Sequence, residues 1–572
     1  MAEYRTHDVL ILGTGLAGLR AALEIARRLG DDVDIGLVSK VQLMRAHSVC
    51  AEGGTAAVLR VAEGDSLDLH AWDTVKGSDF LADQDVVYRF VEQSPAEILQ
   101  LEHWGIPWSR RADGRILQRD FGGHNFPRAT MAADRTGFFE MQCLYDTLQK
   151  YRNFTRYDEV FVTAMLTVDG GFRGLTAIDM PRGQFLALRA KALLIATGGA
   201  GTLYGFTTYS RSVSGDGLAM AYRIGLALED MEFIQFHPTG LEPSGILITE
   251  GCRGEGGYLR NAQHERFMER YATEKMELAP RDIISRAMMR EIEAGRAFPS
   301  DSGLPYLHLD LTHLGAARIH ERLPLIRELS MKFVDIDPVD TPIPVRPVAH
   351  YSMGGIETDI NGATKAHGVW AAGEAACVSL HGANRLGTNS TAECLVWGGI
   401  CGAEIVDFLS SEPPLERLPN ELVAREEQRV FTELLETHGT ENPYELGHAL
   451  RFLMDEHMGV YRSRDGLLLA KHEVEALRQR FAQVNVSDKG RIYNVNLVNV
   501  LELDNQLELA EVAIRSALQR EESRGAHART DFPERDDGDW LKHTLAIRTA
   551  EGISIEYKPV TISHWQPVER RY

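Results

Sequence analysis

The sequence contains neither a long apolar run nor an excess of positive charge. No stretch reaches the ~18–20 consecutive apolar residues of a membrane-spanning helix. The opening "MAEYRTHDVLILGTG" has no charged segment followed by an apolar core, so we expect no signal peptide. Lysine and arginine (61) are outnumbered by aspartate and glutamate (82), which gives a net charge of −21. This balance argues against nucleic acid as a partner and against direct docking on anionic lipid.

Cysteine is also scarce. The six cysteines among 572 residues form no Cys-x-x-Cys pair; they are Cys50, Cys143, Cys252, Cys377, Cys394 and Cys401. Isolated cysteines of this kind are typical of reduced, mostly buried thiols in a cytoplasmic protein. We therefore expect no zinc site, no iron–sulfur cluster and no other metal site in this chain.

The beginning of the chain has the pattern of a nucleotide-binding β-α-β unit. The apolar strand "DVLIL" is followed by the glycine motif "GTGLAG" at residues 13–18, by a helix and by a second strand, "VDIGLV". In this context the glycines allow the backbone to approach a pyrophosphate at the helix N-terminus. The acidic residue that usually binds the ribose of NAD is missing, and Ser39 and Lys40 stand there instead. The motif therefore favours FAD over NAD.

The rest of the chain indicates several domains. At about 100–200 residues per domain, the length predicts three or four. "KALLIATGGAG" and "HGVWAAGEAA" are typical of strands that end at a cofactor crevice. The segment between them, roughly 233–350, is then an insertion into the nucleotide-binding domain. From about residue 411, a proline- and charge-rich junction leads into helical segments and a short strand-like tail.

Further polar residues stand next to the glycine-rich segments. Asp216 precedes a predicted helix, Glu374 ends a predicted strand, and Ser390 and Thr391 begin another helix. The N-terminus of that last helix, if it pointed at a flavin, would favour the negative charge of the reduced ring. The alternative is that Asp216 and Glu374 are ordinary capping or turn residues.

Several segments carry side chains suited to a small dicarboxylate. The segments "FHPTG", "LITEGCRGEGG", "HYSMGG" and "ANRLG" supply His237, Thr249, Glu250, Arg253, His350 and Arg385. The planar guanidinium of an arginine fits a carboxylate group. Each histidine taken singly could instead be structural.

Arg281 has an unusual position. Pro280 and Asp282 mark the start of a predicted helix. A cation in the first turn opposes the helix dipole by about 0.3–1 kcal/mol. Arginine is expected there only if an anion compensates it, or if it is a solvated surface residue.

His47 raises a similar question. It lies in "MRAHSVCAEGG", one strand and one helix after the glycine motif. It is either an ordinary surface histidine or a residue that contacts the cofactor.

Long segments across the whole chain strongly resemble the flavoprotein subunit of succinate dehydrogenase and fumarate reductase. They are "SKVQLMRAHSVCAEGGTAAV", "FHPTG", "LITEGCRGEGGYLRN", "PRDIISR", "HYSMGGI", "GANRLGTNS" and "ESRGAHARTDFPERDDGDWLKHT". The resemblance implies an α/β fold with a Rossmann-like FAD-binding domain at residues 1–232 and 351–410. An α+β capping domain (233–350) would interrupt it, followed by a helical domain (411–530) and a small C-terminal domain (531–572).

The resemblance also implies how FAD is held. In that family the histidine of the R-x-H-S/T stretch forms a covalent bond to the 8α carbon of FAD. This residue matches His47, and the bond would raise the flavin potential so that succinate oxidation is less uphill. The other implied FAD contacts are Gly13, Thr14, Gly15, Leu16, Ala17, Gly18, Ser39, Lys40, Arg45, Ser48, Glu52, Gly53, Gly54, Asp216, Glu374, Ser390 and Thr391.

A substrate site for succinate and fumarate follows from the same resemblance. The positions that match its carboxylate-binding residues are His237, Thr249, His350 and Arg385. Arg281 matches the proton donor and acceptor, and Glu250 and Arg253 match its relay to solvent. The pKa of arginine lies above ~12, so Arg281 can serve as an acid only when it is desolvated in a closed site. Closing the capping domain would exclude water.

The family resemblance further implies partners and a location. Electrons would pass to or from a separate iron–sulfur subunit and a quinone site in membrane-anchor subunits. The chain would then lie at the cytoplasmic face of the bacterial inner membrane, attached through its complex. Glu52 and "AADRTGFFEM" lean towards the reductases, although the reaction is reversible.

Two other functions compete with this interpretation. L-aspartate oxidase is a soluble relative with much of the same site but without covalent flavin, and His47 and the "WLKHT" tail argue against it. A redox-inert FAD-binding scaffold is the second, and the complete set of dicarboxylate-binding residues argues against that.

Overall fold

The chain folds into strands and helices that are distributed over several sheets. A computed structural model describes residues 2–571. The strands are β1 (Glu3–Thr6), β2 (Val9–Leu12), β3 (Ile35–Val38), β4 (Thr55–Ala56), β5 (Gln118–Arg119), β6 (Ala129–Thr130), β7 (Phe154–Tyr157), β8 (Val160–Val168), β9 (Gly171–Asp179), β10 (Gln184–Arg189), β11 (Ala192–Ile195), β12 (Leu228–Glu229), β13 (Ile234–Leu241), β14 (Tyr258–Arg260), β15 (Leu307–Asp310), β16 (Ile343–Ser352), β17 (Gly355–Glu357), β18 (Val369–Ala371), β19 (Ala376–Cys377), β20 (Tyr461–Arg462), β21 (Ala528–Arg529), β22 (Lys542–Thr549) and β23 (Gly552–Pro559). The α-helices are α1 (Leu16–Leu29), α2 (Leu67–Gly77), α3 (Gln84–Trp104), α4 (Thr136–Leu148), α5 (Asp216–Arg223), α6 (Gly251–Gly254), α7 (Arg281–Glu293), α8 (Ala316–Arg322), α9 (Pro324–Val334), α10 (Asn389–Ser410), α11 (Asn420–Gln428), α12 (Pro443–His457), α13 (Arg464–Phe481) and α14 (Val495–Gln519).

A five-stranded parallel sheet contains the predicted nucleotide-binding unit. Its strand order is β18-β11-β2-β3-β7, and every neighbouring pair is parallel. Strand β2 is buried at each of its residues, as expected for a parallel sheet covered on both faces. Helix α10 lies close against α1, because Gly398 has no side chain: a Cβ atom there would stand only 2.7 Å from the Ala17 carbonyl oxygen. The α/β class predicted from the sequence is confirmed.

A separate antiparallel sheet lies within the predicted insertion. Its order is β13-β16-β15-β14, and it spans residues 234–352. Helix α7 contributes Ile284 and Met288 to a hydrophobic cluster that also contains Leu309 and Val345 from this sheet. The segment therefore has a core of its own, which is what a capping domain requires. The boundaries predicted at 233 and 350 stay a prediction.

The last part of the chain contains helices α11 to α14 and a strand pair. Strands β22 and β23 pair with each other, and β22 also pairs with β12, so that the sheet order is β19-β17-β12-β22-β23. The tail thus completes a sheet begun by much earlier residues. Among residues 2–571, no helix is long and apolar enough to cross a membrane. The divisions predicted at 411 and 531 also stay predictions.

Candidate active site

A deep cavity lies where the ends of β2, β3 and β11 meet the inserted sheet and the start of α10. The predicted site residues in its wall are Gly13, Thr14, Gly15, Leu16, Ala17, Ser39, Lys40, His47, Ser48, Glu52, Gly53, Gly54, Asp216, His237, Thr249, Glu250, Arg281, His350, Glu374, Arg385, Ser390 and Thr391. Residues from the glycine motif and from the proposed dicarboxylate site therefore share one cavity.

Three predicted site residues do not line this cavity. Gly18 packs beneath the glycine motif, where a Cβ atom would stand 2.0 Å from the carbonyl oxygen of Gly13. Arg45 is exposed to solvent. Arg253 is buried beside Glu250, with its Nη2 3.6 Å from Glu250 Oε2. Gly18 thus serves the contact between strand and helix, and Arg253 lies behind Glu250 rather than in the cavity wall.

The glycine motif fits a nucleotide. Gly13 has a φ of +105°, and a Cβ atom there would lie 2.1 Å from the carbonyl oxygen of Ala196, so a larger residue is excluded. The buried hydroxyl groups of Thr14 and Thr197 have no hydrogen-bond partner within the described part of the chain, and both residues line the cavity. A narrow cradle at the start of α1 with unused hydroxyl groups is what a bound pyrophosphate requires.

Two of the predicted FAD contacts, Lys40 and Asp216, are bound to each other. Lys40 Nζ lies 2.7 Å from Asp216 Oδ2, 2.6 Å from Glu502 Oε1 and 2.6 Å from Ser214 Oγ. Burial opposes the ammonium charge, but Asp216 and Glu502 together raise the pKa of Lys40. An ammonium group has three donors, and in this structure all three point to these side chains. This ion cluster joins α14 to the wall of the cavity.

His47 begins a short 3₁₀ turn, His47–Cys50. Its ring stacks on Tyr209, with 5.1 Å between ring centroids and 15° between ring planes. The backbone N–H of Ser210 donates to His47 Nδ1 over 3.4 Å. Burial lowers the pKa of His47 to about 4, which makes the imidazole neutral.

Arg281 is the first residue of α7, as the sequence predicts. Its Nε donates to Glu250 Oε2 at 2.7 Å, and its Nη1 donates to Gln235 Oε1 at 2.9 Å. Glu250 Oε1 accepts from the backbone N–H of Gly122 at 2.6 Å. Burial raises the pKa of Glu250, but Arg281 and Arg253 outweigh it and hold that pKa at about 2. The anion that compensates Arg281 is thus a residue of the protein itself, and compensation by a substrate is not required.

Arg385 shares the acceptor Gln235 with Arg281. Its Nε donates to Gln235 Oε1 at 3.3 Å, its Nη2 lies 3.2 Å from His350 Nε2, and its Nη1 donates to Ser390 Oγ. The guanidinium also lies over the Tyr351 ring, 4.2 Å from the centroid. Burial and the neighbouring Arg281 lower the pKa of Arg385 to about 10. Two buried guanidiniums therefore share one acceptor.

Two neutral histidines complete this end of the cavity. The rings of His237 and His350 are 5.0 Å apart. Burial and Arg281 lower the pKa of both well below the usual range. His237 Nδ1 accepts from the backbone N–H of Thr239 at 3.2 Å, so the proton is on Nε2. That Nε2 is buried and has no hydrogen-bond partner among residues 2–571. With Thr249 in the same wall, the site offers unused donors to a carboxylate.

Comparison with known proteins gives consistent results. A family model described as an FAD binding domain matches residues 8–391, and one described as the fumarate reductase flavoprotein C-terminus matches residues 447–572. A fumarate reductase flavoprotein subunit from Mycobacterium tuberculosis is 45% identical over 581 residues, covering 99% of each chain. This chain belongs to the fumarate reductase and succinate dehydrogenase flavoprotein family.

Other members of the family are nearly as similar. A succinate dehydrogenase flavoprotein subunit from Rickettsia felis is 41% identical, covering 97% of this chain and 95% of its own length. A solved structure of an E. coli quinol fumarate reductase variant superimposes with a TM-score of 0.96 at 42% identity, covering 100% of this chain and 99% of that one. The family resemblance seen in the sequence and the FAD cofactor are thereby confirmed.

Three residues that no sequence pattern singled out, Gln235, Tyr209 and Gly122, hydrogen-bond to predicted site residues or stack on them. Gln235 accepts from both arginines and donates through Nε2 to the Arg385 carbonyl oxygen at 2.7 Å. Its position two residues before His237 on β13 was the available signal, since alternate strand residues face the same side. Tyr209 and Gly122 lie in loops, and no local sequence pattern indicates that they contact the site.

One group of possible metal ligands exists among the described residues, away from the cavity. Atoms of Glu229, Asp230 and His543 lie within 4.8 Å of one another. Lys558 Nζ is 2.7 Å from Glu229 Oε2, and His543 Nδ1 is 2.7 Å from Asp230 Oδ2. The carboxylates are therefore already compensated by Lys558 and His543, and no metal ion is needed to balance their charge. The ion pairs connect the C-terminal strands to Glu229 and Asp230 in the FAD-binding part of the chain.

Proposed function

We propose that this chain is the catalytic flavoprotein subunit of a succinate:quinone oxidoreductase and that it interconverts succinate and fumarate. The observation that carries the proposal is the pair of buried guanidiniums, Arg281 and Arg385, held on Gln235 in the cavity that the glycine motif also lines. Relatives that match nearly the whole chain are named fumarate reductase or succinate dehydrogenase flavoprotein subunits. Fumarate reduction is the favoured direction, since the fumarate reductase from M. tuberculosis is 45% identical and the succinate dehydrogenase from R. felis 41%.

The donors at this end of the cavity suit the two carboxylates of the substrate. Arg385 and His350, 3.2 Å apart, would bind one carboxylate together. The unpartnered Nε2–H of His237 and the hydroxyl group of Thr249 would bind the other. Both histidines are neutral, so the positive charge comes from the arginines, and His237 keeps its Nε2–H as a donor.

Arg281 is the proposed proton donor and acceptor. Bound FAD supplies hydride-transfer chemistry at the adjacent carbon of the substrate. Arg281 would give its proton to the substrate and recover one through Glu250, 2.7 Å away, whose carboxylate is ionised at rest and would be protonated only in passing by Arg253 beyond it. Arginine is a weak acid, so the transfer requires a site without water. Both Arg281 (6% exposed) and Glu250 (1% exposed) meet that requirement in this structure.

Cap closure would assemble this site. Glu250 and Arg281 belong to the proposed capping segment 233–350, whereas Gly122 and Arg385 belong to the FAD-binding part. The hydrogen bond from Gly122 to Glu250 and the shared bonds at Gln235 connect the two parts. We infer that opening the cap breaks these contacts and admits substrate.

The proposal includes partners that take up or deliver electrons. We propose an iron–sulfur subunit and membrane-anchor subunits with a quinone site, and a location at the cytoplasmic face of the bacterial inner membrane. The similarity to a solved structure of quinol fumarate reductase supports a quinol-linked complex.

His47 is the proposed site of a covalent bond to the 8α carbon of FAD. The complex, purified from native membranes, is denatured in acid, and the flavin that stays with the chain is measured by gel fluorescence. We expect wild-type flavin to stay attached and His47→Ser to release it while retaining fumarate reduction and losing most succinate oxidation. His103→Ser, at an exposed position on α3, serves as the control.

Two outcomes would contradict this proposal. Wild-type flavin that is wholly extractable would exclude the covalent bond. Oxygen consumption with L-aspartate, by a chain recovered alone, would favour the aspartate oxidase alternative.

A further inference from the structure

The backbone around His47 does not fix the direction of its ring. The residue lies in a four-residue 3₁₀ turn and is flanked by Ala46 in an extended conformation. The imidazole contacts the Tyr209 ring with its face and the Ser210 amide with Nδ1. The orientation of the ring is therefore set by what it packs against.

Tyr209 is itself held firmly on its other side and at its hydroxyl group. A Cβ atom on Gly201 would lie 1.9 Å from Tyr209 Cδ2, so the ring fills the space that a side chain there would need. The hydroxyl group donates to Glu374 Oε1 and accepts from the backbone N–H of Ser352 at 3.0 Å. Tyr209 is thus confined by Gly201 and anchored at its hydroxyl group, with its ring against His47.

We propose that Tyr209 is a positioning residue that orients the imidazole of His47 for covalent attachment to FAD. This inference rests on the attachment proposed above. The Ser210 amide engages Nδ1, so Nε2 is the nitrogen left for the bond. An aromatic ring parallel to the imidazole restricts its rotation about χ2 while leaving Nε2 accessible at the ring edge. The hydroxyl bonds to Glu374 and Ser352 serve to hold the Tyr209 ring.

The covalent attachment that Tyr209 would assist is a two-electron oxidation. The proposed substrate fumarate can accept the electrons and protons that it releases. One N–C bond replaces the N–H bond of Nε2 and one C–H bond of the 8α methyl group. The two protons and two electrons released are those that convert one fumarate to succinate. Tyr209 takes no part in these transfers.

Three variants distinguish the effect of the Tyr209 ring from the effect of its hydroxyl group. Tyr209→Phe keeps the stacked ring, Tyr209→Leu removes it, and Gly201→Ala displaces it without changing its chemistry. The full-length chain is prepared without flavin, FAD and fumarate are added, and covalent flavin is followed by fluorescence in denaturing gels. We expect attachment to slow by about 3- to 10-fold in Tyr209→Leu and Gly201→Ala and by less than about 2-fold in Tyr209→Phe.

A structural effect is distinguished by measuring total bound flavin and the melting temperature in the same samples. Tyr444→Leu, at an exposed position near the start of α12, is the matched control. The inference is overturned if Tyr209→Leu attaches flavin at the wild-type rate, or if Tyr209→Phe is as slow as Tyr209→Leu. It is also overturned if total flavin falls in parallel with covalent flavin. If wild-type flavin is never covalent, the bond proposed for His47 is wrong and this inference fails with it.

Discussion

Replacing Arg281 by lysine tests whether this residue transfers the proton or only binds a carboxylate. The guanidinium uses two different nitrogens, Nε towards Glu250 at 2.7 Å and Nη1 towards Gln235 at 2.9 Å. Lysine keeps the positive charge but has a single nitrogen and no planar fork. A lysine at position 281 can keep the ion pair with Glu250. It then lacks the hydrogen bond to Gln235 and the further nitrogen that, in the proposed mechanism, faces the substrate.

The two roles predict effects of different size on different constants. A lost hydrogen bond of a charged group costs about 1.5–3 kcal/mol, or about 10- to 150-fold, and for a pure binding residue it appears in KM. Loss of a positioned acid lowers kcat by about 10²- to 10⁴-fold. We expect the second result for Arg281→Lys, in both directions, because one group serves the forward and the reverse transfer.

The assay measures kcat and KM for fumarate reduction and succinate oxidation, together with the Kd of a dicarboxylate inhibitor. We expect the Kd to change by less than about 10-fold, since Arg385, His350 and His237 remain. Arg290→Lys, at the exposed end of the same helix, controls for the substitution itself. A kcat near the wild-type value in Arg281→Lys would refute the proton-transfer role and direct attention to His237 or His350.

Two further predictions follow from the ionised groups. Glu250→Gln should lower kcat by about 10- to 100-fold, less than Arg281→Lys, because an amide accepts hydrogen bonds but cannot return the proton to Arg281; stopped-flow rates in H₂O and D₂O measure this. At His543, burial opposes protonation, but Asp230 and Glu229 raise the pKa to about 10. Because the pKa of His543 is higher in the folded state, its protonation stabilises the fold. This stabilisation is complete below the pKa of the unfolded state, about 6.5, and it is lost as the pH rises through about 10. Urea titrations should show that His543→Gln lowers the free energy of unfolding and flattens its decline over this range.

Each of these predictions has a matched control and a contrary outcome. Glu274→Gln and His438→Gln make the same changes at exposed positions. Wild-type turnover in Glu250→Gln would remove that residue from the proton path. An unchanged pH dependence in His543→Gln would show that the imidazolium is not what links the tail to the FAD-binding part.

The patterns that predicted correctly are those in which a short stretch contains its own physical reason. The glycine motif predicted the β-α-β unit because Gly13 needs a positive φ and close backbone contact, and both requirements are local. The start of α7 at Arg281 followed from Pro280 and Asp282 in the same way. The α/β class and the family are confirmed, whereas the roles of the site residues and the domain boundaries stay predictions.

What the sequence by itself determined is therefore the nucleotide-binding β-α-β unit and a set of candidate site residues, most of which line one cavity. Only the tertiary structure decided their partners. Arg281 is paired with Glu250 across 31 positions, Arg385 meets Gln235 across 150, and Lys40 is bound to Glu502 across 462. Contacts at such separations depend on how sheets and helices pack, and packing depends on the whole chain. For that reason neither the ion pair between Arg281 and Glu250 nor that between Lys40 and Glu502 could be read from any local pattern.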